Sequence, residues 1–454
     1  MNKDAALPLF PYQPGQKGAR EDAVLAQQVG GLPASPPQLG ALFCIVAGMS
    51  TNRPRQMNLH SAHPSLPAGT ITEGSLESGV LITIHRLSFG GADRVAIYLA
   101  SGLASAGIKV GIASLRTAGE GEETLLGLLD QQVLRSSAGT PLGSRHLELA
   151  RGLPYLRRLI GLARPAVVLA SSNNMGLITG LSSLRQPDKT RPSYVLKTTN
   201  PVIRPCDRSR LRKLYRRRLY GLVFGNFDRV LTLSADERAT LTRMYPRHAD
   251  KFSVVTNPYV TPGMLEDYDR PPPSGAPKIL TLARLMPQKR LDRLLAAFAR
   301  LKRQDCRLTI VGEGPERPRL EQLAKSLGIA DRVELPGFAK DVLPWLRDAD
   351  LFVLSSDYEG LPAALFEALA CNVPVVTTDC FEGARSLLAE ASGSAVVPSN
   401  DIDALARAID WSLDDPPPAR NLKDIACGHT IEAGIRSHVD TLRPLLRPNG
   451  RGGR

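Results

Sequence analysis

The six cysteines of this chain never approach one another in sequence: Cys44, Cys206, Cys306, Cys371, Cys380 and Cys427 form no CxxC pair. Such spacing offers neither a zinc clip nor the disulfide framework of a small secreted fold, and it fits a reducing cytoplasm. Long apolar runs are missing too. No stretch approaches the ~20 continuous apolar residues of a membrane-spanning helix. The run Leu39–Gly48 falls well short, and it lies too far in for a clean signal peptide. Acidic residues are scarce beside basic ones: 57 Lys and Arg against 44 Asp and Glu leave a formal net charge of +13. That imbalance favours an anionic partner, whether nucleic acid, an anionic membrane face or a charged substrate, without choosing among them. A soluble or peripheral protein is expected.

At 454 residues the chain exceeds one average core, so two domains are expected. Its 43% hydrophobic and 22% charged content is that of an ordinary folded protein. Residues 1–78 carry nine prolines, much Gly, Ser and Gln, and no sustained periodicity; a disordered N-terminal extension is expected there. A first domain over 79–265 should open with the buried strand Gly79–Ile84, then Gly90-Gly91 and a helical run Ala92–Ala106. Further strands read at Lys109–Leu115, Ala166–Ala170, Tyr194–Leu196 and Arg229–Ser234. The alternation breaks at Asn257-Pro258, and the proline-rich segment 266–277 reads as a linker. A second domain over 278–446 repeats the pattern. Its strands read at Lys278–Leu282, Arg307–Val311, Val333–Leu335, Leu351–Ser355 and Val373–Thr377, and its helices at Asp292–Arg303, Arg317–Leu327, Val342–Asp348 and Ala363–Ala370. Strands alternating with helices make parallel, doubly wound α/β sheets. Two such domains in tandem face each other across a cleft lined by strand-end loops.

The segment 351–379 carries the most chemistry. Glu359 and Glu367, with seven residues between them, bracket a strand-to-helix turn. A helix N-terminus suits a phosphate, and a carboxylate suits paired sugar hydroxyls, so this turn reads as a site for a sugar joined to a phosphate. Arg284 and Lys289 follow the first strand of the second domain, where two cations would stabilise the charge gathering on a diphosphate leaving group. Gly312-Glu313-Gly314 ends the next strand, and its missing side chains would let backbone approach a nucleotide closely.

Arg284…Lys289, then LTIVGEGPERPRLEQLA, VELPGF and DYEGLPAALFEALACNVPVV, resemble the GT-B fold retaining glycosyltransferases of family 4, many of which assemble bacterial surface polysaccharides. The segment LSFGGADRVAIYLASGLASAGIKVGIASL is similar to the family's Gly-Gly acceptor-side loop and first helix. The resemblance spans about 79–446 and implies two Rossmann-like domains, an acceptor-side one and a donor one, the last helix packing back on the first. It further implies that Glu359 orients the donor sugar, that Glu367 binds the ribose hydroxyls, and that Gly360 and Leu361 offer backbone N–H groups to the phosphates. Pro362 would take the first helical position. Arg284, Lys289 and Gly314 would line the nucleotide, and Gly90 and Gly91 would let the first domain approach it. The donor implied is a nucleoside-diphosphate sugar, the acceptor a glycan or lipid-linked glycan, and the chemistry proceeds with retention and without a metal cofactor. Many relatives carry a histidine after a middle strand of the first domain. The corresponding Val195–Asn200 has none, which leaves Lys197, Asn200 or His85 as stand-ins.

Two Asp-x-Asp triplets, Asp267-Tyr268-Asp269 and Asp348-Ala349-Asp350, match the metal-binding pattern of another class of transferases, but one lies in the linker and one precedes its strand. The run Arg204–Arg218 holds eight cations, with Leu211, Leu214, Tyr215 and Leu219 at helical spacing. It reads either as a helix packing its leucines on the first sheet or as a face drawn to an anionic membrane, the cytoplasmic side being the expected location. No stacking aromatics interleave the arginines as a nucleic-acid platform needs. Two other classes fit the pattern: a sugar-nucleotide epimerase of the same fold, which needs no acceptor, and a non-catalytic nucleotide-sugar-binding protein.

Overall fold

The computed structural model describes residues 70–86, 90–116, 129–140, 142–184, 191–204, 207, 209–268, 275–414 and 422–446. The first sheet contains β1 (Val80–Ile84), β2 (Val110–Ser114), β3 (Leu134–Ser137), β4 (Val167–Ala170), β5 (Ser193–Lys197), β6 (Arg229–Thr232) and β7 (Phe252–Val254). Its helices are α1 (Gly91–Ser105), α2 (Arg145–Ala163), α3 (Asn173–Ser183), α4 (Arg210–Gly225) and α5 (Ala235–Met244), and the single turn α6 (Pro262–Leu265) follows, packed on the second domain, where Gly263 O accepts from Arg347 (3.0 Å). The second sheet contains β8 (Lys278–Leu282), β9 (Arg307–Val311), β10 (Val333–Gly337), β11 (Leu351–Leu354), β12 (Val375–Thr378) and β13 (Ala395–Val397). With it run α7 (Leu291–Phe298), α8 (Arg317–Ser326), α9 (Leu343–Asp348), α10 (Ala363–Ala370), α11 (Ala384–Leu388), α12 (Ile402–Asp414), α13 (Leu422–Cys427) and α14 (Ile431–Leu442).

Strand order is β3-β2-β1-β4-β5-β6-β7 in the first sheet and β10-β9-β8-β11-β12-β13 in the second. Every pairing is parallel, with β1 in register with both β2 and β4 and β8 joining β9 along its whole length. Central strands such as β1 and β11 are buried at every position, because helices cover both faces of a parallel sheet. The doubly wound two-domain expectation therefore holds.

Folded chain starts earlier than expected. Residues 70–78 belong to the first domain: Thr70 bridges to Arg135, and Ile71 and Leu76 are buried in its core. The expected disordered extension is thus shortened at its C-terminal end, and residues 1–69 lie outside the described residues. The chain crosses between the sheets near Val255–Val260 and returns near Cys427–Ile431. The two crossings are tied by Val260 N–H donating to His429 O (2.9 Å) and Ile431 N–H to Val260 O (3.0 Å). Past the second crossing α14 packs on α1, and one apolar core runs from Val80 and Leu99 through Tyr259 and Val260 to Leu365, Phe366 and Leu442.

The basic helix α4 departs from its packing expectation. Only Val223 and Phe224 are buried, Phe224 lying edge-on to Tyr245 and Phe252. Leu211 is 79% and Leu214 52% exposed, with Tyr215 and Leu222 also exposed, so this apolar face looks away from the sheet. The last turns anchor the helix and the first turns stand clear. Arg204 leaves the basic face altogether, its guanidinium lying 4.5 Å over the Tyr358 ring of the second domain. Two of the Asp-x-Asp acids are engaged structurally: Asp348 pairs with Lys278 (2.6 Å) and Asp267 with Lys423 (2.9 Å).

Leu442→Ala, which empties a fully buried site, is expected to lower stability by about 2–5 kcal/mol. Leu211→Ala should stay within about 0.5 kcal/mol. Thermal or urea unfolding of the two variants checks the contrast.

Candidate active site

In each sheet the order reverses beside the first strand, and open α/β sheets bind ligands beyond the strand ends at such a switch point. At the second sheet's switch point, Ala283–Arg290 follows β8 and Ser355–Pro362 follows β11. The two loops are stitched together. Ser355 Oγ donates to the carbonyls of Lys289 (2.9 Å) and Arg290 (3.1 Å), Asp357 N–H donates to Gln288 O (2.9 Å), and Gln288 Nε2 to Tyr358 O (2.7 Å). Buried Arg293 donates to Ser355 O (2.9 Å) and to Asp357 Oδ1 (2.7 Å). On this frame Lys289 Nζ sits 2.6 Å from Glu359 Oε1, which also accepts from Ser356 Oγ at 2.6 Å. Glu359 is buried, so a paired carboxylate is held in fixed orientation at the mouth of α10.

Glu367 lies one turn into α10, 3% exposed. Its Oε1 accepts from Nη2 of Arg94, on the first turn of α1 in the other domain. That carboxylate is the main cause raising the Arg94 pKa above its ordinary value. Arg284 is exposed at the end of β8 and has no ion pair among the described residues. Of the four charges expected together, Lys289 and Glu359 are paired, Glu367 is held by a cation that no sequence motif singles out, and Arg284 is exposed with no ion pair among the described residues.

The glycines serve different ends. A Cβ on Gly312, at φ +146°, would fall 1.9 Å from Ala283 O, and one on Gly314 2.3 Å from Leu285 O. Their bareness is therefore required by the adjoining β8 loop, whatever else approaches them. Gly360 does meet the other domain: its Cβ would lie 2.3 Å from Thr199 O. Gly91 would bring its Cβ 3.9 Å from that of Ala363, so the N-termini of α1 and α10 meet. The N–H groups of Gly360 and Leu361 have no acceptor among the described residues, while Leu361 O accepts from Tyr259 Oη (2.7 Å). Pro362 is the N-cap, in extended conformation (φ −75°, ψ 113°), one position before its expected place. Its missing N–H costs nothing there either. On the inner face of α10, Phe366 makes a mutual cluster with Tyr259 and His429, its ring centroid 5.7 and 3.9 Å from theirs and the other two rings 6.3 Å apart. Burial brings His429 down to about 4, which leaves it neutral at pH 7.

Of the histidine stand-ins, Asn200 lies on the loop that meets Gly360. Asn173, at the start of α3, clamps it: Asn173 Oδ1 accepts from Thr199 N–H (2.7 Å) and Asn200 N–H (3.2 Å), and Asn173 Nδ2 donates to Asn200 O (3.0 Å). His85 lies instead against Glu148, Nε2 to Oε2 3.1 Å. Lys197 is withdrawn into the core, its Nζ without a hydrogen-bond partner, beside buried His438. A pocket with about 260 Å³ of empty volume spans the domains, lined by Pro201, Leu233, Ser234, Glu237, Glu359, Gly360, Leu361 and Glu382. Burial raises Glu237 to about 7, and the nearby Glu382 adds to the effect. The site residues outside the sequence motifs have weak local signals: Arg94 follows Gly90-Gly91 by three positions, and Asn173 opens a helix after a strand.

Two family models match the chain: Glycosyltransferase Family 4 over residues 89–261 and Glycosyl transferases group 1 over residues 267–427. The lipopolysaccharide core biosynthesis glycosyltransferase LpsE of Rhizobium meliloti is 34% identical over 143 residues, 32% of this chain and 41% of that protein. The N-acetylgalactosamine-N,N'-diacetylbacillosaminyl-diphospho-undecaprenol 4-alpha-N-acetylgalactosaminyltransferase of Campylobacter jejuni is 33% identical over 137 residues, 30% of this chain and 37% of that protein. The chain spans less than half the length of the curated relatives it matches. Among solved structures, Anabaena HepE in complex with UDP and glucose superposes with a TM-score of 0.65 at 18% identity, covering 81% of this chain and 99% of that one.

Burial lowers the Lys197 pKa from 10.5 to about 7, so between pH 7 and 10 the unfolded chain binds more protons and stability should rise with pH. Lys197→Met is expected to stabilise the protein by about 1–4 kcal/mol at pH 7, an advantage that shrinks towards pH 10. Thermal unfolding at the two pH values reads the effect; a constant difference would count against it.

Proposed function

The chain belongs to the family 4 glycosyltransferases, and from that premise we propose that it moves a sugar from a nucleoside-diphosphate sugar to a glycan or lipid-linked glycan acceptor, with retention of anomeric configuration, in polysaccharide assembly. The observation that carries the reading is the meeting of two helix N-termini, at Gly91 and Ala363, beside the Lys289–Glu359 pair. Converging helix N-termini concentrate free N–H groups and positive partial charge, which suits a diphosphate. In the proposed reaction the bond from the sugar C1 to the diphosphate breaks, the acceptor oxygen bonds to C1, and the acceptor proton leaves with the diphosphate. Gly360 and Leu361 N–H groups, Lys289 and the exposed Arg284 would receive the departing charge, with no metal cofactor invoked. A lysine has three donors, so Lys289 can keep Glu359 while meeting a phosphate. Glu359 would orient the sugar and Glu367 the ribose. HepE, solved with UDP and with UDP-glucose, supports uridine nucleotides as the first donors to try. A site for a nucleotide sugar must enclose most of the ligand, and the tight contact of α1 with α10 in this structure means the domains would part to admit one and close on it.

The acceptor side favours a membrane surface. On α4 the exposed Leu211, Leu214, Tyr215 and Leu222 share one stripe, which exposed Arg218 interrupts and exposed Arg210, Arg212 and Arg217 flank. An apolar stripe with a cationic rim facing outward fits the headgroup region of an anionic bilayer, each cation adding about 1 kcal/mol. Among the described residues no helix is long and apolar enough to cross a membrane. We place the enzyme peripherally, on the cytoplasmic face.

Arg284→Ala is expected to lower transfer about 100–1,000-fold, and Glu367→Ala to abolish it, with the circular dichroism of both unchanged. UDP release from a panel of UDP-sugars, with lipid extract as acceptor, measures this; unchanged turnover in either variant removes the site assignment, and sugar conversion without acceptor would favour an epimerase. Replacing Leu211, Leu214 and Leu222 together by Ser should release the protein from phosphatidylglycerol vesicles in a flotation assay. Retained binding would sink the membrane placement.

A further inference from the structure

Glu367 is the carboxylate proposed to take the ribose hydroxyls, yet its one charged partner among the described residues comes from the opposite domain. A carboxylate 3% exposed needs a counter-charge to stay ionised at little cost, and breaking such a buried pair is more damaging than never having made it. Arg94 supplies that charge from the first turn of α1, three residues beyond Gly91, where α1 touches the first turn of α10. The Glu367 carboxylate is what raises the Arg94 pKa above its ordinary value. A carboxylate offers two oxygens and about four lone-pair directions. Arg94 engages Oε1, and Oε2 has no hydrogen-bond or ion-pair partner among the described residues. One carboxylate can therefore hold the guanidinium of one domain and a ribose hydroxyl at the same time.

We propose that Arg94 is a positioning residue that completes the nucleotide site from the acceptor-side domain, so that Glu367 binds ribose in full strength only when the two domains are closed. The proposal rests on the nucleotide-sugar reading above and adds a regulation to it. Closure and nucleotide binding share the Arg94–Glu367 pair, and by linkage each strengthens the other. When the domains part, Glu367 loses its partner and the nucleotide loses an oriented acceptor, which gives product release a physical trigger. Arg94 needs no contact with the reacting atoms for this role.

The test is UDP affinity, by isothermal titration, for the wild type, Arg94→Ala, Arg94→Lys, Glu367→Gln and the Arg94→Ala/Glu367→Gln double variant, each checked for folding by circular dichroism. Arg94→Ala is expected to bind UDP about 10-fold more weakly, the middle of the range for coupled sites. Arg94→Lys should recover most of that loss, and Arg94→Ala should cost nothing further in the Glu367→Gln background. Equal or tighter UDP binding by Arg94→Ala overturns the role, as does a loss that Lys does not rescue or that persists undiminished beside Glu367→Gln. A wild type that binds none of UDP, ADP, GDP and TDP removes the nucleotide reading itself and this role with it, whereas a binding wild type with an unaffected Arg94→Ala removes this role alone.

Discussion

A buried carboxylate in one domain and its guanidinium partner in the other set the terms for much of this structure. Leaving a buried carboxylate without a partner would cost several kcal/mol of lost solvation, and whatever brings α1 against α10 also brings Glu367 its guanidinium partner. The surrounding architecture serves this approach. Gly91 and Gly360 remove side chains where the two domains touch, and Tyr259, Phe366 and His429 cluster on the inner face of α10 at the crossing of the chain. The returning segment Leu422–Leu442 then closes the same apolar core from the other side. The two domains are thereby interlocked, the first crossing bonded to the second.

Against that shared seam, the two halves of the crevice are built differently. The second domain's half is over-determined: Arg293, Ser355, Gln288 and Asp357 pin the loop that presents Glu359, and their bonds all lie within that domain. Such a frame is what the proposed diphosphate site would need, groups that meet developing charge without reorganising. In the first domain's half, among the described residues, one side-chain amide, Asn173, holds the Thr199–Asn200 loop, and the pocket beside it is lined by carboxylates on both domains. Under the proposed function, acceptor choice would reside in such loops on a fixed scaffold.

The legible part of the sequence is what burial imprints on a chain. β8 and β9 lie at the residues expected, since a central parallel strand must be apolar along its length. β3 (LRSS), β7 (FSV) and β13 (AVV) leave no such imprint: they are short and lie at sheet edges, where ladder bonds to one neighbour rather than burial place them. Residues 70–78 look disordered in sequence for a related reason, because Ile71 and Leu76 are two isolated apolar positions in a polar stretch. Charge is harder to read than apolarity. Lys289 and Glu359 are expected in one site and are found paired, but spacing alone says nothing of which acid meets which base. Arg94 and Glu367 are 273 positions apart, and no local pattern announces a contact of that reach.

Lys197 and Asn200 show how three residues of sequence can separate a buried group from one on a loop that meets the other domain. β5 ends at Lys197, so that residue's side chain is still governed by the alternation of the strand, which directs it into the core beside His438. Thr198 and Thr199 carry the chain out of the sheet, and Asn200 emerges on the loop that meets Gly360. Polarity alone makes Lys197 look like a ligand contact, and its position on a strand outweighs that signal. The unpaired amine survives because neutralising it costs less than opening the core, and its pKa near 7 is the measure of that compromise. Polarity marks a residue as able to bind, but the backbone element beneath it decides whether it faces the ligand.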